Sequence, residues 1–592
     1  MTSYRYLNPV SRGISRKIPE CYGFDVETYN NNQEMSVCSF VNDKDIAVFY
    51  TRKEALAWLD IKAEKKSRSK WPFFIVATNM PFDASVLFGR GKELVNFKPF
   101  FRDTTIITGV YKGLKFLDTM NYAPMSVEAW GDLIGCPKMR SPVNLGQKPQ
   151  TEEELAYLTA YNIQDSLISF KAWQSLYSRL LGMGGRLKAT IASTSLEFYR
   201  RNFQRESMMS TPKDRLSFER ASYYGGRTEV FDRGLLPIGK YNMYDKVSMY
   251  PFVMSDRAYP DTRYPKFVAP REQNIEDYMG LSEVSITAPD LDYPLLPFRV
   301  GKKLIFPVGS FRGVYTHAEL SESLRLGYHI EEIHRQLVFR RECSPFKDFV
   351  RCVYTRKEEA TEKEIRLLMK LILNSLYGKF GARMEIEKVF EHIGTIDWRK
   401  VPEKFKIIEQ YVSYERELPE NKIPKYVIPV IASYVTSYAR LELYKYFKEK
   451  PLYCDTDSII LDHTIEETPG LGGMKLEEPG TTGYIVKPKM YMFGDKVKVK
   501  GAIMRRPKKS DSPEEYKNKQ EYNLRIFESI LQGEPVPQSK FMKFRESLRR
   551  KDCSFNEVRD FLKSYTLEDN KRYWERPFSR EDFQASLPLV IS

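Results

Sequence analysis

Short apolar runs alternate with helical periodicities between Cys21 and about Arg200. "PFFIVATN" (72–79) is a short apolar run of strand length, and "LAYLTAYNIQDSLISFKAWQSLYSRLL" (155–181) repeats its apolar positions at helical spacing. That alternation predicts an α/β unit. A basic, polar stretch around Arg200–Arg220 marks a boundary, and a second unit starts near Ser222 and runs to the end. In it, "EKEIRLLMKLILNSLYGKF" (362–380) is strongly helical, and "YVIPVIASYVTSYA" (Tyr426–Ala439) reads as a buried helix. The polar, proline-containing stretch from Glu385 to Pro424 is expected to be irregular, and the charged C-terminal hundred residues to be mostly helical. There is no internal repeat.

The apolar pattern is broken most sharply at "LYCDTDSII" (452–460), where Asp455 and Asp457 interrupt a strand-like run. Two like charges so close raise the cost of ionising each other, and a cation offsets that cost. Spacing alone is weak evidence, because "PDLDYP" carries Asp290 and Asp292 at the same interval in a loop-like context. The strand-like surround of 455 and 457 implies partial burial. Residues i and i+2 of a strand share a side, so both carboxylates are expected to face one site. In "YNMYDKVSMYPFVM" (241–254), Asp245 ends another strand-like run. With Asp457 it could grip two Mg²⁺ ions for phosphoryl transfer. Arg366, Lys370, Asn374 and Tyr377 fall on one helical face, with Lys357 upstream, a basic stripe suited to a triphosphate.

Composition narrows the chemistry. The 592 residues suggest roughly three to five domains. A net charge of +15 favours a polyanionic partner, most simply nucleic acid. The seven scattered cysteines include no CxxC pair and read as reduced thiols, and the five histidines form no HExxH pair. This argues against zinc and for oxygen ligands. The first 20 residues lack the apolar core of a signal peptide, and no uncharged run reaches the roughly 20 residues of a membrane span. A cytoplasmic protein is expected, in a host cell if the source is viral.

Together, "DKVSMYP" (245–251), "KLILNSLYG" (370–378) and "YCDTDS" (453–458) resemble motifs A, B and C of the family B DNA polymerases, in that order. The resemblance implies a multidomain α/β chain: a ribonuclease-H-like 3′–5′ exonuclease domain, then a right-hand polymerase of palm, fingers and thumb with two insertions. It implies Asp245, Asp457 and the Lys246 carbonyl as metal ligands, with Asp455 supporting the site. Lys357, Arg366 and Lys370 would hold the triphosphate, and Asn374 and Tyr377 the nascent pair. Tyr250 would be the steric gate against a ribose 2′-hydroxyl. In the N-terminal unit, "FDVET", "NMPFD" and "YNIQD" supply Asp25, Glu27, Asp83 and Asp165 as exonuclease metal ligands, with Tyr161 orienting the nucleophile. Thr28, Asn79 and Phe82 would hold a frayed primer end. "DTMNY" (118–122) departs from the family pattern at Met120, and Lys138 matches the family's assisting lysine only loosely. Two Mg²⁺ per active site are implied, with Mn²⁺ able to substitute.

Further features resemble the terminal-protein-primed branch. The exonuclease pattern begins within about 20 residues of the start, leaving no room for the N-terminal domain of most cellular replicative members. "YYGG" (Tyr223, Tyr224, Gly225, Gly226) resembles that branch's YxGG linker, and Lys489 and Tyr491 of "KPKMYMF" its KxY element at the DNA. The implied layout is exonuclease 1–200, linker 201–235 and polymerase 236–592. Within the last, the palm spans about 236–275 and 426–490, the first insertion 275–345, the fingers 346–382, the second insertion 383–425 and the thumb 491–592. The expected function is DNA-directed, strand-displacing DNA synthesis with proofreading for a viral or mobile-element genome. Partners would be template-primer DNA, dNTPs, a terminal protein and a single-stranded-DNA-binding protein, and the enzyme would be a monomer. The alternatives are a nucleic-acid-primed or primer-independent polymerase, or a DNA-binding protein that has lost catalysis.

Overall fold

The structure, a computed structural model, describes residues 5–10, 13, 17–32, 34–88, 97–102, 105–394, 396–408, 411–494, 496–505, 507, 511–541, 558–580 and 582–591. Cys553, and Arg506, Lys508 and Lys509 of the basic run at 505–509, lie outside the described residues. The six described cysteines are free thiols. Among the described residues no helix is long and apolar enough to cross a membrane.

In the N-terminal unit seven strands form one sheet: β1 (Glu20–Tyr29), β2 (Glu34–Val41), β3 (Ile46–Phe49), β4 (Phe73–Ala77), β5 (Phe97–Arg102), β6 (Thr105–Tyr111) and β7 (Leu114–Asp118). Their spatial order is β3-β2-β1-β4-β7-β6-β5. The central β1, β4 and β7 are parallel and the flanks antiparallel. One face carries an aromatic core, with Phe24 stacked on Phe40 at 4.9 Å and Phe40 on Trp58 at 4.5 Å. The other is covered by the long helix α1 (Glu152–Gly182), capped by Thr151. Gly23 sets how closely α1 lies on β1. A Cβ there would stand 1.8 Å from the Ser166 carbonyl oxygen, so only glycine admits the helix backbone.

The second unit is built on an antiparallel sheet of β8 (Thr228–Val230), β9 (Tyr241–Lys246), β10 (Tyr453–Asp455), β11 (Ser458–Leu461) and β12 (Met474–Gly480). Their spatial order is β8-β10-β11-β9-β12. The helices α2 (Lys347–Glu359) and α3 (Lys363–Ser375) pack on each other, and α4 (Pro429–Tyr444) is buried along nearly its whole length. α4 is the buried helix expected from its apolar run, with proline in its first turn, where no hydrogen bond is lost. The N-terminal unit docks on α3: Ser195 Oγ donates to the Ile372 carbonyl at 2.6 Å, and Arg179 pairs with Glu362 at 2.6 Å.

Several expectations need correction. The stretch after Glu385 is not irregular: Ile386–His392, Phe405–Ile408 and Tyr411–Glu417 form a three-stranded antiparallel sheet. In the stretch read as the first insertion, about 275–345, stands a five-stranded sheet that starts with Pro265–Val268, continues to Phe339 and takes in Val590–Ile591. The 201–235 stretch is not merely a connector. It contains helix Lys213–Ala221 and ends in β8 and strand Asp232–Leu235. Among the described C-terminal residues, the long helix Pro513–Leu531 is followed by strands and extended chain, not by further helix. That chain leaves the 491–592 unit: Gln584–Ala585 pairs with Asp232–Leu235, and Val590–Ile591 with Val308–Thr316.

One buried group makes stability depend on pH. His317 is 2% exposed, bonded through Nε2 to Ser282 Oγ at 2.9 Å and through Nδ1 to the Tyr278 carbonyl at 2.6 Å. Burial pushes its imidazole down to about 4. The folded ring therefore holds its proton more weakly than the unfolded one. Stability is complete above the ordinary histidine value near 6.5 and drains as pH falls toward 4, by on the order of 3 kcal/mol. The protection of amides in Met279–Ala288, corrected for the intrinsic pH dependence of exchange, should fall across that window in the native chain, and much less in His317→Gln.

Candidate active sites

The first site forms where β1 and α1 meet. Along β1, Phe24 and Val26 point into the core, and Asp25 and Glu27 are half-buried on the opposite face. Because Gly23 lets α1 lie directly on the strand, Asp165 reaches both. Carboxylate oxygens of Asp25, Glu27 and Asp165 all lie within 4.8 Å of one another. Burial, reinforced by Asp165, pushes Glu27 up to about 7. Burial also raises Asp25 well above its ordinary value, with Glu27, Asp83 and Asp165 adding to it. A cluster so costly to ionise fits a bound cation, and its all-oxygen donors suit magnesium or manganese.

Asp83 stands beside this triad and not within it. Its Oδ1 accepts from the Val26 backbone N–H at 3.2 Å, and burial and Asp118 raise its pKa. Tyr161 lies one turn before Asp165 on α1, and the Lys138 ammonium sits between them. It bonds Asp165 Oδ2 and lies 4.2 Å from the centre of the Tyr161 ring. The loosely matched lysine is thus in the cluster. Asn162 went unread in the sequence, and its Nδ2 donates to Asp25 Oδ2 at 2.7 Å. Asn79 is exposed, at a φ of +70°, with its N–H on the Asp118 carboxylate at 3.1 Å. Phe82 is half-buried. Thr28 is 6% exposed and its hydroxyl donates to Asn32, so little of it faces outward.

The second site forms at the end of β9 and the β10–β11 turn. Asp245 is the Cα partner of Ser458, and the Lys246 N–H donates to the Asp457 carbonyl at 2.7 Å. Asp245 and Asp457 are thereby neighbours. Burial, then Asp457 and Glu477, push Asp245 up to about 7. Burial also raises Asp457. The Lys246 side chain is buried against Glu442 at 3.5 Å, which leaves its backbone as the part available at the site.

Asp455 is held differently from Asp457, although its charge still raises the Asp457 pKa. Thr456 and Asp457 form the turn, and Thr456 takes a left-handed φ of +67°, which breaks the two-residue alternation. Asp455 turns instead to cations. Lys489 Nζ donates to its two oxygens at 2.6 and 2.8 Å, and Lys498 lies 3.3 Å away. Thr228 Oγ1 donates to it at 3.0 Å, and the Thr228 carbonyl accepts from Lys571 Nζ at 2.7 Å. Burial pushes Asp455 up, but Lys489, Lys498 and Thr228 outweigh it and hold the group below its usual range. Lys498, Thr228 and Lys571 had no sequence signal beyond being single polar residues in strands or extended chain. Tyr491 is 3% exposed, with its ring 5.3 Å from that of Tyr453. It supports the Lys489 turn and offers DNA no open ring face.

Tyr250 stacks on Tyr377 at 4.4 Å beside the carboxylates. On α3, Leu368, Met369, Ile372 and Leu373 are buried, while Arg366, Lys370 and Asn374 are exposed on the other face. Lys370 is close enough to act on Asp245. Arg366 Nε points at the Lys357 carbonyl at 3.4 Å, and the Lys357 ammonium pairs with Glu358 at 2.8 Å. Tyr223 is half-buried against Gly381. Arg440, itself in a buried pair with Glu319, donates to the Tyr224 and Gly225 carbonyls at 3.0 and 2.7 Å. Gly225 is exposed. A Cβ on Gly226 would meet Thr456 Cγ2 at 2.8 Å, so this glycine lets the connector lie against the aspartate turn.

Three comparisons bear on this arrangement. The chain is 28% identical over 331 residues to a protein of Neurospora intermedia called "Probable DNA polymerase", a match covering 51% of this chain and 33% of that protein. It is 27% identical over 324 residues to the DNA-directed DNA polymerase of Enterobacteria phage PRD1, covering 48% and 52%. The chain thus spans a third of the Neurospora protein and about half of the phage one. Its fold is that of phi29 DNA polymerase, solved with primer-template DNA: TM-score 0.64 at 18% identity, over 93% of this chain and 100% of that one. At that identity the likeness is one of fold. Residues 170–468, just over half of the chain, match the family model described as DNA polymerase type B, organellar and viral, and the chain belongs to that family.

Proposed function

We propose that this chain is a DNA-directed DNA polymerase with a 3′–5′ exonuclease, each activity at its own carboxylate centre. The observation that carries the reading is that Asp245, opposite Ser458 in the sheet of the second unit, is brought beside Asp457 by the Lys246–Asp457 backbone bond, separate from the Asp25, Glu27 and Asp165 cluster of the first. The proposed layout is exonuclease from the start to about 200, a connector through the YxGG segment, then the polymerase. The sheet of 265–339 and the three strands of 386–417 are proposed as its two insertions.

For synthesis, the primer 3′-hydroxyl attacks the α-phosphate of a dNTP and pyrophosphate leaves. Asp245, Asp457 and the Lys246 carbonyl would hold magnesium or manganese. The ions supply a nucleophile of lowered pKa and charge compensation at the phosphate. Lys370 and Arg366 present positive charge to the triphosphate from the exposed face of α3, with Lys357 behind them, and Asn374 lies along the same face. Asp455 holds Lys489 and Lys498 in place next to the primer end. At the exonuclease centre, Asp25, Glu27 and Asp165 would hold the metals, and Asp83 braces β1 through the Val26 N–H. Tyr161 and Lys138 flank Asp165, where they can position the attacking water. Asn79 and Phe82 offer the more open surface for a frayed primer end.

The Tyr250 ring, fixed by its stack on Tyr377, would lie under the incoming sugar and exclude a 2′-hydroxyl. Tyr250→Ala is expected to lower the preference for dNTP over rNTP in kcat/KM by roughly ten- to hundredfold. Unchanged sugar discrimination would remove Tyr250 from that role.

We further propose protein priming, with a terminal-protein hydroxyl as the first nucleophile, for a viral or organellar element. The YxGG connector against the aspartate turn and the two inserted sheets support it. Template and dNTPs, incubated with and without a hydroxyl-bearing partner protein, separate this from nucleic-acid priming. Product covalently attached to the partner is the expected outcome.

A further inference from the structure

A cleft of about 400 Å³ opens on the N-terminal unit at the end of the sheet remote from its carboxylates. It is bounded by Phe74 at the start of β4, Lys115 at the start of β7, and the C-terminal part of α1 with the chain that follows it. β7 runs from Lys115 at this cleft to Asp118 at the carboxylate end, roughly 10 Å of strand, and none of Asp25, Glu27, Asp83 and Asp165 lines the cleft. The cleft is not part of the exonuclease centre.

Its walls combine two chemistries. Trp71 is 41% exposed, and the Lys17 ammonium lies 5.3 Å from its ring centre. Tyr177 is half-buried at the other side, packed 4.8 Å from Trp173. Lys115, Arg186 and Lys188 line the same cleft. Among the described residues no aspartate or glutamate lines the cleft, whereas two other surface clefts are lined in part by Glu152 and Glu322. Burial lowers the Lys188 pKa; Glu197 opposes that, and Arg186, Arg201 and Arg200 add to it. Positive groups are thus crowded where the lining supplies no counter-charge. The volume is within the range of small-molecule sites, about 300–1,000 Å³. Flat aromatic faces beside fixed cations are the recognition chemistry of a base joined to a phosphate.

We propose that this cleft binds a nucleoside phosphate, with the base against Trp71 and Tyr177 and the phosphate against Lys115, Arg186 and Lys188. The ligand is either a free mononucleotide or one residue of a single strand crossing the outer face of the exonuclease unit. The proposal does not depend on either catalytic centre.

Photocrosslinking tests it. The full chain is irradiated in metal-free buffer, which prevents cleavage, with 5-iodo-dUMP in one arm and a single-stranded octamer carrying one 5-iodo-dU in the other. Adducts are then mapped by peptide mass spectrometry. The expected result is an adduct on Trp71 or Tyr177. With both probes it identifies a nucleotide site; with the octamer alone, a strand path. Arg186→Ala/Lys188→Ala should lower that adduct about tenfold or more, as loss of charge-assisted contacts implies, while Lys53→Ala/Lys65→Ala leaves it unchanged. Adducts only outside the cleft, or an adduct indifferent to the Arg186 and Lys188 changes, would overturn the proposal.

Discussion

Asp457→Asn is expected to lower DNA synthesis by roughly a thousandfold or more, a loss of at least about 4 kcal/mol of transition-state stabilisation. The substitution keeps the shape of the side chain and removes its charge. Asp245 and Asp457 are neighbours; burial raises both pKa values, with Asp457 adding to it at Asp245 and Asp455 at Asp457. A divalent cation relieves that repulsion only if both are carboxylates. With Asn at 457 the turn still closes, because the hydrogen bond from Lys246 uses the backbone carbonyl of 457 and not its side chain. The exonuclease cluster stands on β1 and α1, outside this sheet, so removal of 3′ nucleotides should stay within about twofold of the native rate. Incorporation of a single dNTP into a labelled primer reads the first quantity, and shortening of the same primer without dNTPs reads the second. Retained incorporation would remove Asp457 from the chemistry.

Asp25→Ala should do the opposite. It deletes one of three oxygen donors that converge within 4.8 Å, and leaves Asn162 without its acceptor. Exonuclease activity is expected to fall by about a thousandfold, with synthesis near native and misincorporation raised. Both losses have to be measured in both variants. Loss of the two activities together in either one would point to a disrupted fold, not to separate centres. Since Asp25 is half-buried among other carboxylates, its removal also relieves the cost of ionising the cluster, which offsets the lost Asn162 bond. The variant should therefore melt no lower than the native chain, which distinguishes a lost ligand from a lost fold.

Much of each centre was legible because local periodicity carries it. Asp25 and Glu27 alternate with Phe24 and Val26 on one strand, and Tyr161 and Asp165 are one turn apart on one helix. The face of α3 was equally plain, since its apolar positions and its basic ones repeat at the same interval. What local pattern could not show is approach. Gly23 matters because α1 lies directly on it, and Gly226 because Thr456 does. Neither contact leaves a trace within a few residues of the glycine.

The partners of Asp455 and Asp457 were hidden for a related reason. The expected turn is there, but the sequence did not show that Asp455 bonds Lys489 and Lys498 while Asp457 also stands beside Asp245. The partners of Asp455 come from two distant segments, Thr228 and the hairpin of Lys489 and Lys498, so no spacing announces them. The strand Tyr411–Glu417 did carry a signal, with Val412 and Tyr414 buried in alternation, but its glutamates and the nearby prolines made it look irregular. In the C-terminal stretch, charge was taken for helix although Pro577 and Pro588 forbid one across 570–591. Those residues are an extended strap, and Lys571 within it reaches the carbonyl beside the Asp455 bond.

A single assay bears most directly on the two-centre account. The native chain is given magnesium and a 5′-labelled primer annealed to single-stranded circular DNA, with and without dNTPs, and primer length is followed. The account predicts extension, well past one turn of the circle if synthesis displaces the strand ahead, when dNTPs are present, and stepwise shortening when they are absent. A primer whose length stays the same under both conditions, with manganese as well as magnesium, would contradict it.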